Sequence, residues 1–153
     1  MSNIPYPAPS VILPNEIGKI IDLQNFRPNP IVLFFYPRDN TSGCTREAKD
    51  FTEHLRLFEG AKVNVFGVSK DSIESHEKFI KKQGLAISLL SDEDGTVCEN
   101  FGVWKEKSMY GKTYMGIERS TFIIDGKGLV VKEWRRVKVA GHVNAVLQQI
   151  EKI

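Results

Sequence analysis

The sequence predicts an α/β chain: a mixed central β-sheet flanked by helices on both faces, preceded by an N-terminal β-hairpin. Three observations carry this. Residues 31–36 are apolar throughout, as in a strand buried on both faces, and 63–68 and 86–90 read the same way. The segments between these runs carry apolar residues at three- and four-residue spacing, so strand and helix alternate. Residues 119–124 and 129–134 then flank Asp125-Gly-Lys-Gly128, a strong hairpin signal, and a last helix follows. Strand–helix–strand–helix–strand followed by hairpin and helix gives a sheet with both parallel and antiparallel pairs.

In order, the chain opens with a proline-rich arm up to Pro9. Residues 11–13 and 17–21 read as the first hairpin, turning around Pro14-Asn15 and Gly18. Asn29-Pro30 marks entry to the 31–36 strand. A helix follows from near Ser42 to near Gly60, with a stripe of Ala48, Phe51, Leu55 and Phe58. After the 63–68 strand, Asp71 with Glu74 resembles a capping box for a helix closed by Gly84. Asp92-Glu-Asp-Gly95 is a turn, and a short helix over 96–101 places Val97, Cys98 and Phe101 near one side. Residues 104–115 read as a polar loop with scattered large side chains, and the last helix starts near Gly141.

Length and charge bound the function. A chain of 153 residues can bury most of its unfolded surface around one core, so 1–153 is expected to be a single domain. Twenty-one basic against 19 acidic residues give +2, which does not suggest a nucleic-acid partner. The basic cluster at 132–138, with Arg135 and Arg136, is a solvated strand face or turn. No apolar stretch is long enough for a membrane span. The opening MSNIPYPAPS has prolines where a secretory signal has an apolar core, so a cytoplasmic protein is expected. Two cysteines without repeated spacing fit a reducing compartment.

Cys44 is the residue to weigh. It lies four positions before Ala48 and extends the apolar stripe at the helix's N-terminal end, so it faces inward. Unpaired backbone N–H groups and the helix dipole favour a thiolate there, the reactive form of the side chain. Thr41 sits three residues earlier, where its hydroxyl can cap the helix or bond whatever meets the sulfur. From position alone, an inert core cysteine with a capping threonine fits as well. Pro37 ends the strand; Glu47 is a favourable first-turn acid; Arg119 reads as an arginine at a strand end.

Pro37-x-x-x-Thr41-x-x-Cys44, directly after a hydrophobic strand, resembles the active-site signature of the peroxiredoxins. The fuller string FFYPRDNTSGCTREAKDF is similar to the bacterioferritin comigratory protein, or Q, branch. The likeness continues through Gly116-Ile-Glu-Arg-Ser-Thr-Phe-Ile-Ile-Asp125 and spans nearly the whole chain. The resemblance implies a thioredoxin-like fold and a thiol-dependent peroxidase acting on hydrogen peroxide and organic hydroperoxides. It implies Cys44 as the peroxidatic cysteine that becomes a sulfenic acid. Thr41 and Arg119 then hold the peroxide, Pro37 shields the sulfur, and Glu47 orients Arg119. Trp104, Tyr110 and Met115 are candidates for a substrate collar or simply core filler.

No cofactor is implied. His54, His76 and His142 show no ligand spacing with either cysteine, so no metal site is expected. A thioredoxin-type exchanger would need Cys-x-x-Cys, whereas Glu47 stands three residues after Cys44. Two departures concern recycling: Lys49 and Ile80 occupy the places where family members carry a resolving cysteine. Cys98 lies beyond both and looks like a buried structural cysteine, although it could condense with the sulfenate if the first helical turn unwound. The expectation is a one-cysteine cycle completed by glutathione, glutaredoxin or thioredoxin, in a monomer or weak homodimer. The competing function is a peroxide sensor or holdase that uses Cys44 stoichiometrically; sustained turnover separates the two.

Overall fold

The computed structural model of the protein describes residues 4–153. Ten strands and five α-helices follow one another among the described residues. They are β1 (Tyr6–Pro7), β2 (Ile12–Pro14), β3 (Ile20–Asp22), β4 (Ile31–Phe35), α1 (Ser42–Glu53), α2 (Leu55–Gly60) and β5 (Asn64–Ser69). Then come α3 (Ile73–Gln83), β6 (Ser88–Ser91), α4 (Thr96–Asn100), β7 (Trp104–Met109), β8 (Lys112–Ile117), β9 (Ser120–Ile124), β10 (Leu129–Trp134) and α5 (His142–Ile150). A 3-10 helix, Leu23–Phe26, links β3 to β4.

The central sheet runs β1-β10-β9-β4-β5-β6. β4 pairs with β5, and β5 with β6, in parallel; β9 is antiparallel to both β4 and β10. The mixed, helix-flanked sheet is the expected one. Every residue of β4 is buried, because β4 is central and covered on both faces. Its side chains alternate between two cores. Ile31, Leu33 and Phe35 join Cys98, Phe101 of the α4 turn and the β2–β3 hairpin. Val32, Phe34 and Tyr36 join Cys44, Ala48, Phe51 and the apolar faces of α2, α3 and α5. Phe34 stacks on Phe51 with ring centroids 4.5 Å apart, seating α1 on the sheet.

Several elements differ from expectation. The arm's Tyr6–Pro7 is an edge strand on β10, where Pro7 can sit at the sheet margin. The long helix breaks at His54, where φ and ψ turn to −100° and 5°, so α1 and α2 are separate; the ring Nδ1 lies 2.8 Å from the Asp50 carbonyl. α3 is capped by Ser72, which accepts from the Ser75 N–H at 3.1 Å; Asp71 is occupied elsewhere, so there is no Asp71–Glu74 capping box. Residues 104–117 are not a loop but an antiparallel hairpin, β7–β8. Its tip, Tyr110-Gly111, has φ of 53° and 78° at successive residues, the backbone of a tight hairpin turn. No described helix is long and apolar enough to cross a membrane.

Candidate active site

The register of β9 against β4 builds the site. Phe35 at the end of β4 faces Ser120 at the start of β9. The residue before β9, Arg119, therefore arrives beside the six-residue segment, 36–41, that leads from β4 into α1. Its main chain is held by Val137, whose N–H donates to the Arg119 carbonyl at 2.9 Å. Its side chain reaches back to the first turns of α1. One guanidinium nitrogen lies 3.3 Å from Cys44 Sγ, and another donates to Glu47 Oε1 at 2.7 Å. A Cβ on Gly43 would come within 3.1 Å of the nitrogen that meets the sulfur, so glycine leaves the room this contact needs.

Burial sets the electrostatics. Cys44 and Glu47 are fully enclosed, while Arg119 keeps a partly exposed edge. Burial pushes the Glu47 carboxyl up to about 7, although Arg119 pulls the other way. Its Oε2 has no partner among the described residues. Burial also works against charge on Arg119, but Glu47 and Cys44 outweigh it and hold the guanidinium firmly charged. Burial and then Arg119 lower His142 to about 4, so it is a neutral ring beside Thr121 Oγ1 at 2.8 Å. The fixed positive charge beside the sulfur is thus the guanidinium.

Thr41 is the N-cap residue of α1 by backbone, yet its side chain does not cap. Its exposed hydroxyl donates to the Arg38 carbonyl at 3.0 Å instead. Pro37 is half-buried just past β4. The expected collar is only partly a collar. Tyr110 is fully exposed at the hairpin tip, Met115 is half-exposed, and Trp104 packs on the opposite core with Lys70 4.2 Å from its ring centroid. Tyr114 instead lines a cleft of about 460 Å³ that opens on Arg119, together with Lys105, Lys107 and Arg136. Lys107 is held below its ordinary pKa by partial burial and by Arg119.

Both cysteines are free. Cys98 is buried in the core on the other face of the sheet from Cys44. Burial, reinforced by Asp92, pushes its thiol well up, which suppresses the thiolate.

A thiol at the start of the first helix, backed by an arginine from the neighbouring antiparallel strand, on a mixed sheet of this order, defines a thioredoxin-like thiol enzyme. The sequence profile of the AhpC/TSA family matches residues 4–133. The chain belongs to this family, in the bacterioferritin comigratory protein (Q) branch of the peroxiredoxins, which are thiol-dependent peroxidases. Peroxiredoxin Bcp of Bacillus subtilis is 46% identical over 144 residues, covering 94% of this chain and 92% of the relative. The solved structure of the Xanthomonas campestris bacterioferritin comigratory protein, described for its alkyl peroxide reduction, superposes with a TM-score of 0.88 at 45% identity, covering 93% and 90% of the two chains. A cysteine-to-serine mutant of Xylella fastidiosa PrxQ superposes with a TM-score of 0.90 at 37% identity, covering 99% and 98%.

Of the residues singled out, the fold brings Cys44, Arg119 and Glu47 into contact, while Pro37 and Thr41 stand on the segment before α1, with the Thr41 hydroxyl on the Arg38 carbonyl. Sequence reasoning weighed His76 only as a metal ligand and gave Tyr36 and Asp39 no role, yet the three interlock beneath the same loop. The only signal for them was Asp39 inside the Pro37–Thr41 motif.

Proposed function

We propose that Cys44 is the peroxidatic cysteine of this peroxidase, that Arg119 and the loop around Thr41 position the peroxide, and that Glu47 orients Arg119. The single observation that carries this is the 3.3 Å contact from Arg119 to Cys44 Sγ, with the same guanidinium fixed by buried Glu47. The guanidinium and the helix start place positive charge beside the sulfur. The sulfur attacks one oxygen of ROOH, the O–O bond breaks, and sulfur keeps the hydroxyl as Cys44–SOH. The leaving RO⁻ takes a proton to become ROH. Charge develops on that leaving oxygen, where a second donor of the planar fork and the backbone N–H groups of Gly43 and Cys44 can stabilise it. Pro37 keeps water from the sulfur.

Hydrogen peroxide and organic hydroperoxides are the substrates we infer, in line with the alkyl peroxide reduction described for the Xanthomonas relative. A thiol then condenses with the sulfenic acid, releasing water and leaving a mixed disulfide that a second thiol reduces. We assign both thiols to external reductants, glutathione, glutaredoxin or thioredoxin, because Cys98 sits across the sheet from Cys44. Two free cysteines fit a reducing cytoplasm, and we take the chain to be a single-domain monomer or weak homodimer. Replacing Cys44 by Ser tests the assignment. The variant is expected to fold and to lose thiol-dependent peroxide consumption, and appreciable turnover by it would refute the role.

A further inference from the structure

Residues 37–41 of the loop that joins β4 to α1 carry both Pro37 and Thr41 and end three residues before Cys44. It is tied down from below through Asp39. The Asp39 carboxylate is buried and accepts from the Tyr36 hydroxyl at 2.6 Å and the Ser75 hydroxyl at 2.8 Å. His76 Nδ1 lies 2.8 Å from the same carboxylate, with both side chains almost wholly enclosed. The backbone N–H of Asp39 donates to Asp71 at 2.8 Å, and Asp71 is itself held by the Ser69 hydroxyl. One short loop is thus bonded to the end of β5 and the first turn of α3.

His76 extends the tie to β6. Its Nε2 lies 3.0 Å from the Leu90 carbonyl, which only accepts, so Nε2 carries a hydrogen. Its other nitrogen, Nδ1, faces the Asp39 carboxylate, so the ring bridges the loop and β6. Burial, and next the Asp39 charge, push the Tyr36 phenol far above its ordinary pKa, so it stays a donor to Asp39. Asp39, Asp71 and His76 stand close enough to suggest a metal site, but their polar atoms face one another and the hydroxyls around them. Asn40, the next residue, turns the loop at φ 64°, a left-handed conformation that asparagine adopts more readily than most L-residues.

We propose that Asp39 and His76 are a positioning pair that fixes the 37–41 loop against Cys44, so that peroxide meets the sulfur in line. The proposal rests on the assignment of Cys44 above. Neither residue touches the reacting atoms; they act through the loop. Attack on an O–O bond is sensitive to alignment, and a misplacement of about 1 Å slows such a step on the order of a hundredfold. The contact between Cys44 and Arg119 is carried by α1 and the β8–β9 junction, which the pair does not touch. Loosening the loop is therefore expected to slow oxidation while the thiolate still titrates as in wild type.

The test is single-turnover oxidation by hydrogen peroxide, read beside the thiolate absorbance titration and cooperative urea unfolding. Asp39→Asn keeps the shape and removes the charge facing His76. His76→Gln removes the ring that spans Asp39 and Leu90. Each is expected to slow oxidation about tenfold or more with the thiolate titration in place. Ser75→Ala, a mild change that removes one donor to Asp39, is expected to slow it severalfold and serves if the other two do not fold. Val130→Ala, in the opposite core, is destabilised and should oxidise at the wild-type rate. Wild-type oxidation rates in the folded Asp39 and His76 variants, or in Ser75→Ala if those do not fold, overturn the proposal. So does an equal slowing in Val130→Ala. If Cys44→Ser still consumes peroxide, the assignment of Cys44 has failed and the proposal falls with it; if that variant is inactive, a wild-type rate in the loop variants condemns the positioning pair alone.

Discussion

Replacing Arg119 with Lys keeps a positive charge in the site and removes its shape. In the native site a single planar group reaches Cys44 Sγ at 3.3 Å with one nitrogen and Glu47 Oε1 at 2.7 Å with another. A lysine ammonium is one point of charge on a flexible stem and cannot hold both positions together. Glu47 is the stronger claimant, because it is fully enclosed and its other oxygen is already without a partner. The ammonium is therefore expected to settle on Glu47 and leave the sulfur. Losing one charge-assisted hydrogen bond corresponds to about 1.5–3 kcal/mol, and at about 1.4 kcal/mol per decade the reaction slows about ten- to a hundredfold. Stopped-flow oxidation by hydrogen peroxide under single-turnover conditions reads this directly, with urea unfolding to show that the fold survives. An Arg119→Lys variant that oxidises at the wild-type rate would refute the reasoning, because charge alone would then suffice.

Three further outcomes follow from the same geometry. The Glu47 carboxyl is raised from 4.5 to about 7, so between those values the folded chain holds a proton that the unfolded chain releases, and stability falls as pH rises. The loss from this group is about 3 kcal/mol; Glu47→Gln should remove it, and urea midpoints at about pH 5 and about pH 8 with the same slope in both proteins would contradict this. Cys98→Ser should retain most peroxide turnover, since its thiol is buried across the sheet; a variant that stalls after one oxidation would reassign it as the resolving cysteine. Gly67→Ala would place a Cβ 2.7 Å from Phe34 and 2.8 Å from Leu89 in a tightly packed core, costing about 1–3 kcal/mol; an unchanged urea midpoint would show that the core yields.

The parts of the fold that were legible are those where burial writes a period into the chain. β4 is apolar because both its faces are covered, and α1 shows its stripe of Cys44, Ala48 and Phe51 because one face lies on the sheet. The β7–β8 hairpin left no such trace: Lys105-Glu-Lys-Ser108 is polar throughout, with only Lys107 partly buried, so no apolar alternation shows, and its turn opens on Tyr110 rather than Asn or Gly. Nor was the break at His54 readable, because no glycine or proline marks it and the apolar stripe of Phe51, Leu55 and Phe58 runs straight through it. Cys44 announced itself by place in a helix, but its meeting with Arg119 depends on the Phe35–Ser120 register, a pairing of strands far apart in the chain. Only the resemblance to a family put those two residues together beforehand. Asp39 and His76 had no such help, since no local spacing marks a carboxylate and an imidazole that meet only after the sheet forms.

Intact mass after one equivalent of hydrogen peroxide, with and without a sulfenate trap, tests the central claim most directly. The account predicts a gain of one oxygen, captured by the trap on the peptide that contains Cys44, with Cys98 unmodified. A rapid loss of two hydrogens with a linked Cys44–Cys98 peptide would contradict the one-cysteine cycle, and trapped oxygen on any residue other than Cys44 would contradict the site itself.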